Sequence, residues 1–357
     1  MDRRTAAPPH HRTIAPSRHR TIAPPHHRTI APPQSRTESK WVVLSALAFV
    51  AAAVVLPFVG PSPLDLSRVW AREAPDWSIL VQLRLSRTLL GLFAGAALAL
   101  GGCVFQAMLR DALATPYTLG VSTGASLGAV LAIALNWQAI GGVPAIWAGA
   151  IAGAACVLFF VLGTSVRQPE ISPLGLLLAG VATNSVCSAL ILLVYGLSGM
   201  GASFAIARWL IGSLDAIPYG PLAVFIGTVS VLAALIVRQA RAWNLIAMGD
   251  QWAGTRGADV RRLMRFGYVS GSVLAAVTVA VTGPIGFIGL VVPHLVRTRL
   301  TADSRVLMPC AFFLGGVLLA SCDALGRVVL APAEVPAGAI TACVGGPYLI
   351  WLVRRRI

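Results

Sequence analysis

The feature that most constrains this chain is a succession of apolar runs too long for a soluble core. They occupy 42–59, 88–109, 116–135, 143–166, 174–197, 218–237, 266–282, 307–322 and 337–353. A helix needs about 20 predominantly apolar residues to cross the hydrocarbon of a bilayer, and most of these runs approach that length. In lipid each backbone N–H and C=O must find its partner within the protein, so spanning segments are helices or closed barrels. A barrel would show weakly alternating segments of about ten residues instead. Only 11% of the residues are charged, against about a quarter in soluble domains. The chain therefore reads as an all-α polytopic membrane protein.

A tenth, less regular span is expected in GPIGFIGLVVPHLVR, residues 283–297. Its glycines, prolines, histidine and arginine suit neither a lipid-facing helix nor a dry core. Irregular backbone at membrane depth survives only against other protein or beside a water-filled cavity. The arginines decide whether this stretch crosses. With a cytoplasmic N-terminus and ten spans, fourteen arginines beyond residue 40 fall inside, and six, Arg68, Arg72, Arg84, Arg87, Arg208 and Arg327, fall outside. That asymmetry follows the positive-inside rule. With nine spans, Arg354, Arg355 and Arg356 would move outside. The sequence thus predicts about ten transmembrane helices with both termini cytoplasmic.

The net charge of +15 raises nucleic-acid binding, but the sidedness of the arginines makes the membrane the better explanation. Residues 1–40 carry HRTIAP at 11–16, 19–24 and 27–32. With no apolar face to bury, this low-complexity cytoplasmic tail is expected to be disordered and dispensable. The six cysteines lie in or beside apolar runs without C-x-x-C spacing. They read as small buried apolar residues, and no metal site is expected. The longest inner loop, 238–265, carries Leu245, Ile246, Met248 and Trp252 interrupted by Gly249, Asp250 and Gly257. It predicts one or two short amphipathic helices, suited either to lying on headgroups or to docking a cytoplasmic partner.

Six blocks carry a resemblance: RLSRTLLGLFAGAALALGGCVFQAMLRDALATPYTLGVSTGASLGA (84–129), LLLAGVATN (176–184), WLIGSL (209–214), NLIAMGDQWAGTRG (244–257), GPIGFIGLVVPHLVR (283–297) and EVPAGAITACVGGPYLIWLVRRR (334–356). In content, order and spacing the chain resembles FecCD-type permease subunits of ABC importers for iron–siderophores, haem and cobalamin, the type II importers. It departs at Arg110, Asp111, Ala112, Leu113 and Ala114, where the family usually reads Arg-Asn-Pro-Leu-Ala; the missing proline is expected to loosen a cytoplasmic turn.

The resemblance implies a permease domain over 41–357 in a bacterial cytoplasmic membrane, paired with a second copy or a paralogue. Two cytoplasmic ATPase subunits using ATP and Mg and an external substrate-binding protein complete the machine, with an iron–siderophore as the first-choice cargo. Arg84, Arg87 and Arg327 would meet glutamates of the binding protein. The segment 243–258, with Leu245, Met248, Gly249, Asp250, Arg256 and Gly257, would couple to the ATPase. Ser172, Pro173 and Leu174 would form the inner gate. Gly286 and Gly289 would allow close helix packing, Pro293 would end or kink the helix, and His294 would lie at the cytoplasmic boundary in a structural role. The subunit is not expected to be an enzyme or to bind a cofactor: it has no G-x-x-x-x-G-K-[ST] loop, and its one lysine is Lys40. The alternative of a secondary transporter would need buried coupling carboxylates; Asp323 is the main acid that falls inside a span.

Overall fold

The computed structural model describes residues 35–140, 142–166 and 173–356. The N-terminal repeats and Ser172 lie outside these residues. The first apolar run forms α1 (Ser35–Val55). A short segment follows, with α2 (Leu66–Ala71) and α3 (Asp76–Ser78). Asp65 caps α2 by accepting the Ser67 amide at 2.9 Å, and its bond from the Ser67 hydroxyl holds the carboxyl below its usual range. From α3 the chain continues through a π-helical stretch, Ile79–Leu85, directly into α4 (Ser86–Leu109).

Next come α5 (Val121–Ala134), α6 (Ala145–Val166) and α7 (Pro173–Leu197). A two-residue antiparallel pairing, 139–140 with 143–144, joins α5 to α6. Then follow α8 (Met200–Ile211) and α9 (Tyr219–Arg238). The long loop folds as α10 (Ala240–Met248) and α11 (Asp250–Thr255). The last four helices are α12 (Val260–Thr282), α13 (Ile288–Arg299), α14 (Ser304–Val329) and α15 (Ala337–Arg356). Asp259 and Asp303 cap α12 and α14 through the Arg262 and Arg305 amides at 3.0 and 2.9 Å.

Among the described residues, seven helices are long and apolar enough to cross a bilayer. Helices α5, α13 and α15 fall on the three remaining expected spans, although α13, at 12 residues, is too short to cross alone. Helix α8 was not expected: its 12 residues are too few to span, and the sequence reads there as a connection.

Helix α4 is the axis of the bundle. Of its most apolar 18-residue window, 89% is buried, against α9, α12, α13 and α14. Small residues let the backbones meet, which is how helices gain dispersion contact where lipid supplies no hydrophobic drive. A Cβ on Gly102 would collide with the Gly289 carbonyl, and one on Gly95 with the Gly315 carbonyl. The same device joins α5 to α6 through Gly124 and Gly128 against Gly153 and Gly149.

Three expectations are corrected here, and at Pro293 one of two alternatives is excluded. Gly289 packs closely, but a Cβ on Gly286 would meet open space; Gly286 instead lines a cavity of about 230 Å³ with Tyr117, Ile285 and Phe287. Pro293 does not end the helix, which runs on to Arg299. Proline has no N–H for the carbonyl four residues back, here that of Gly289, and the Gln106 amide donates to it at 3.4 Å instead. Cys156 and Cys343 are exposed, on α6 and α15, while the other four cysteines are buried. The turn lacking the family's proline is held by Asp111, whose side chain accepts the Leu113 amide at 2.9 Å and whose carbonyl accepts the Ala114 amide at 3.2 Å.

Candidate functional site

Two polar clusters sit at opposite ends of α4. At its first turn Arg87 reaches α14: Nε donates to both Asp323 oxygens at 3.1 Å, and Nη2 to Oδ1 at 2.9 Å. Nη1 donates to Glu334 Oε2 at 2.7 Å. Arg327, one turn beyond Asp323 on α14, brings Nε within 3.3 Å of Asp323 Oδ2. Arg84 turns the other way, with Nη2 donating to the Ser62 carbonyl at 2.7 Å and to its hydroxyl at 3.0 Å. Three residues apart on an α-helix, Arg84 and Arg87 would share a face. The π-helical stretch ending at Leu85 changes that register, so the two guanidiniums find different partners.

Arg84, Arg87, Arg327 and Glu334 nevertheless line one cavity of about 350 Å³, with Ser62 and Leu83 in its wall. The expectation of arginines displayed on a surface needs correction, because Arg84 is 5% and Arg327 3% exposed. Charged groups at such depth persist only when paired and hydrogen-bonded. Asp323, itself 2% exposed, supplies the central pairing. Sequence reading identified the arginines and singled out Asp323 as an acid inside a span, but missed Glu334 as a partner.

At the other end the loop 243–258 folds as expected of a broken amphipathic segment. Gly249, with φ of 130°, separates α10 from α11, and Gly257, with φ of 81°, ends the second turn; both values favour glycine. Trp243 is fully buried. Its indole fills the space above Gly267, where a Cβ would strike the ring. Leu245 is half-buried against the core. Asn244 ties the loop to the next turn, donating to Asp303 Oδ1 at 2.7 Å and accepting the Ser304 amide at 2.8 Å. Asp250 pairs with Arg110 at the last turn of α4, so it is held within the chain. Met248 and Trp252 are left facing outward at 51% and 63% exposure, beside exposed Arg256 and Gly257.

Pro173 opens α7, a favourable first position for proline, and Leu174 is exposed; Ser172, the third residue of the expected gate, lies outside the described residues. His294 is 2% exposed, with its ring 6.3 Å from that of Tyr348. Among the described residues no group of three or more His, Cys, Asp or Glu gathers as a metal site.

The FecCD transport family matches residues 45–355, leaving the N-terminal repeats outside. The hemin transport system permease protein HmuU of Yersinia pestis is 35% identical over 302 residues, which is 84% of this chain and 90% of that protein. The vitamin B12 import system permease protein BtuC of Klebsiella pneumoniae subsp. pneumoniae is 36% identical over 277 residues, 77% of this chain and 82% of its own. A metal-chelate type ABC transporter, solved in an inward-facing conformation, superposes with a TM-score of 0.76 at 28% identity, over 89% of this chain and 99% of the other. A helical bundle matched along nearly its whole length leaves one assignment: the chain belongs to the FecCD transport family and is a membrane-spanning permease subunit of an ABC importer.

Proposed function

We propose that the chain forms half of the translocation path for a metal chelate, with a ferric siderophore as the expected cargo. Haem and cobalamin are the alternatives, suggested by what HmuU and BtuC are named for. The path is completed by a second copy or a related permease in a bacterial cytoplasmic membrane. Both chain termini lie in the cytoplasm. There the Met248 and Trp252 face receives two ATPase subunits, whose ATP and Mg drive alternating access. At the other end the arginine cavity receives carboxylates of an external binding protein, because a guanidinium fork matches a carboxylate in two bonds. Pro173 and Leu174, with Ser172, form the inner gate at the start of α7.

The observation that carries this reading is the placement of the two clusters. A buried arginine cavity and an exposed apolar loop sit at opposite ends of one helix, in a chain with no nucleotide loop of its own. The test is uptake into proteoliposomes holding this chain with its ATPase and binding protein, supplied in turn with a ferric siderophore, haem and cobalamin. ATP-dependent uptake of the siderophore complex alone is the expected result. Uptake driven by an ion gradient without the ATPase would overturn the importer reading, and preference for haem or cobalamin would reassign the cargo.

A further inference from the structure

The two carboxylates of the Arg87 cluster are held very differently. Asp323 is 2% exposed, takes three bonds from Arg87 between 2.9 and 3.1 Å, and also faces Arg327. Glu334 has a side chain 48% exposed, stands in the loop between α14 and α15, and takes a single bond, from Arg87 Nη1 at 2.7 Å. Arg87 and Arg327 share these two carboxylates, while Arg84 is turned to Ser62 with the buried Asp76 as a nearby counter-charge. Nη1 and Nη2 of Arg327, a residue 3% exposed, have no hydrogen-bond partner among the described residues. Leaving buried donors idle is unfavourable, and the space beside them is where an added oxyanion would satisfy them.

Building on the docking role proposed above, we infer that Glu334 is an internal stand-in for the incoming carboxylate. It covers Arg87 Nη1 while the face is empty and gives way when a carboxylate side chain of the binding protein enters the cavity. Asp323 remains as the fixed counter-charge. Depth separates the two roles: solvent screens the pairing of a half-exposed carboxylate and makes it weak, whereas removing a buried partner strands a charge. The loop allows the exchange. Its turn bonds, from the Ala333 amide to the Leu330 carbonyl at 2.9 Å and from the Val335 amide to the Gly326 carbonyl at 3.0 Å, flank Glu334 without using its side chain. The arriving carboxylate finds the donors that Glu334 releases together with those Arg327 holds idle. Glu334 thereby sets the affinity of docking: it lowers it for any partner that offers only one weak carboxylate.

A cysteine in the cavity reads this state without the binding protein. Ala216 lines the cavity. Ala216→Cys, with the exposed Cys156 and Cys343 replaced by alanine, is treated in proteoliposomes with an anionic and, in parallel, a cationic methanethiosulfonate reagent. Glu334→Gln should raise the anionic-to-cationic rate ratio about two- to fivefold, the range expected of a weak exposed ion pair. Glu334→Asp keeps the charge but falls one methylene short of Arg87, and should give most of the same rise. A ratio that rises for Glu334→Gln and not for Glu334→Asp assigns the effect to net charge and overturns the stand-in. Arg327→Gln should lower the ratio in every background. If it does so while neither Glu334 variant raises the ratio, the stand-in is wrong and the docking cavity survives; a ratio indifferent to Arg327→Gln removes both.

Discussion

Arg87 and Arg110 stand at opposite ends of α4, and each holds an aspartate that arrives from far along the chain, Asp323 and Asp250. The pairs differ in depth. The Arg87 and Asp323 side chains are 15% and 2% exposed, whereas Arg110 and Asp250 are both 36% exposed. In the buried pair both charges have left water, so each depends on the other. In the exposed pair solvent screens the attraction and offers itself as a substitute. The same two residue types therefore act as a structural requirement at one end and as an adjustable tether at the other.

Five substitutions and one deletion test this contrast, from the largest expected effect to the smallest. Asp323→Ala strands two guanidiniums and should destabilise the fold by about 3–5 kcal/mol, seen as a large fall in thermal midpoint or loss of folded protein in detergent. A midpoint near that of the parent would show that the cluster is not structural. Gly102→Leu drives a side chain into the Gly289 backbone and should cost about 1–3 kcal/mol or more, while Gly286→Ala, facing open space, should change the midpoint little. Equal effects at the two glycines would count against the close approach of α4 and α13. Asp250→Asn should cost less than about 1 kcal/mol and leave the midpoint almost unmoved. Trp252→Ala, at the same end, should reduce ATPase co-purification without unfolding the chain; undiminished co-purification would move the docking face elsewhere. Deleting residues 2–38 should leave uptake and stability within error, and a truncated chain that inserts but does not transport would give the tail a role.

Much of this arrangement could be read from the sequence because lipid imposes length. The long apolar helices of the bundle followed from the apolar runs. The break at Gly249 and the Asp323–Arg327 spacing also follow from local rules. What could not be read is which helix sits at the centre. Runs α4 and α7 are both apolar all round, yet 89% of the α4 window is buried against 17% for α7. In water a polar face would mark the outside, but a bilayer accepts leucine on either side, and that marker disappears. The Glu334–Arg87 contact, spanning 247 positions, leaves no local trace. Pro293 is carried inside its helix for a related reason: the carbonyl it abandons is taken by Gln106 of a neighbouring helix, and no local pattern announces that replacement.

Arg87 and Arg110 are separated by 23 steps of helix, about 35 Å at 1.5 Å per residue, while typical hydrocarbon is about 30 Å thick. Placing both arginines at the boundaries of such a layer inclines α4 by roughly 30°, within the range spanning helices adopt. Each arginine is fastened to another part of the bundle, so this inclination belongs to the whole assembly of helices. Thickening the membrane should stand the bundle upright and thinning it should lay it over, so lipid chain length becomes a handle on how far apart the two ends are held along the membrane normal.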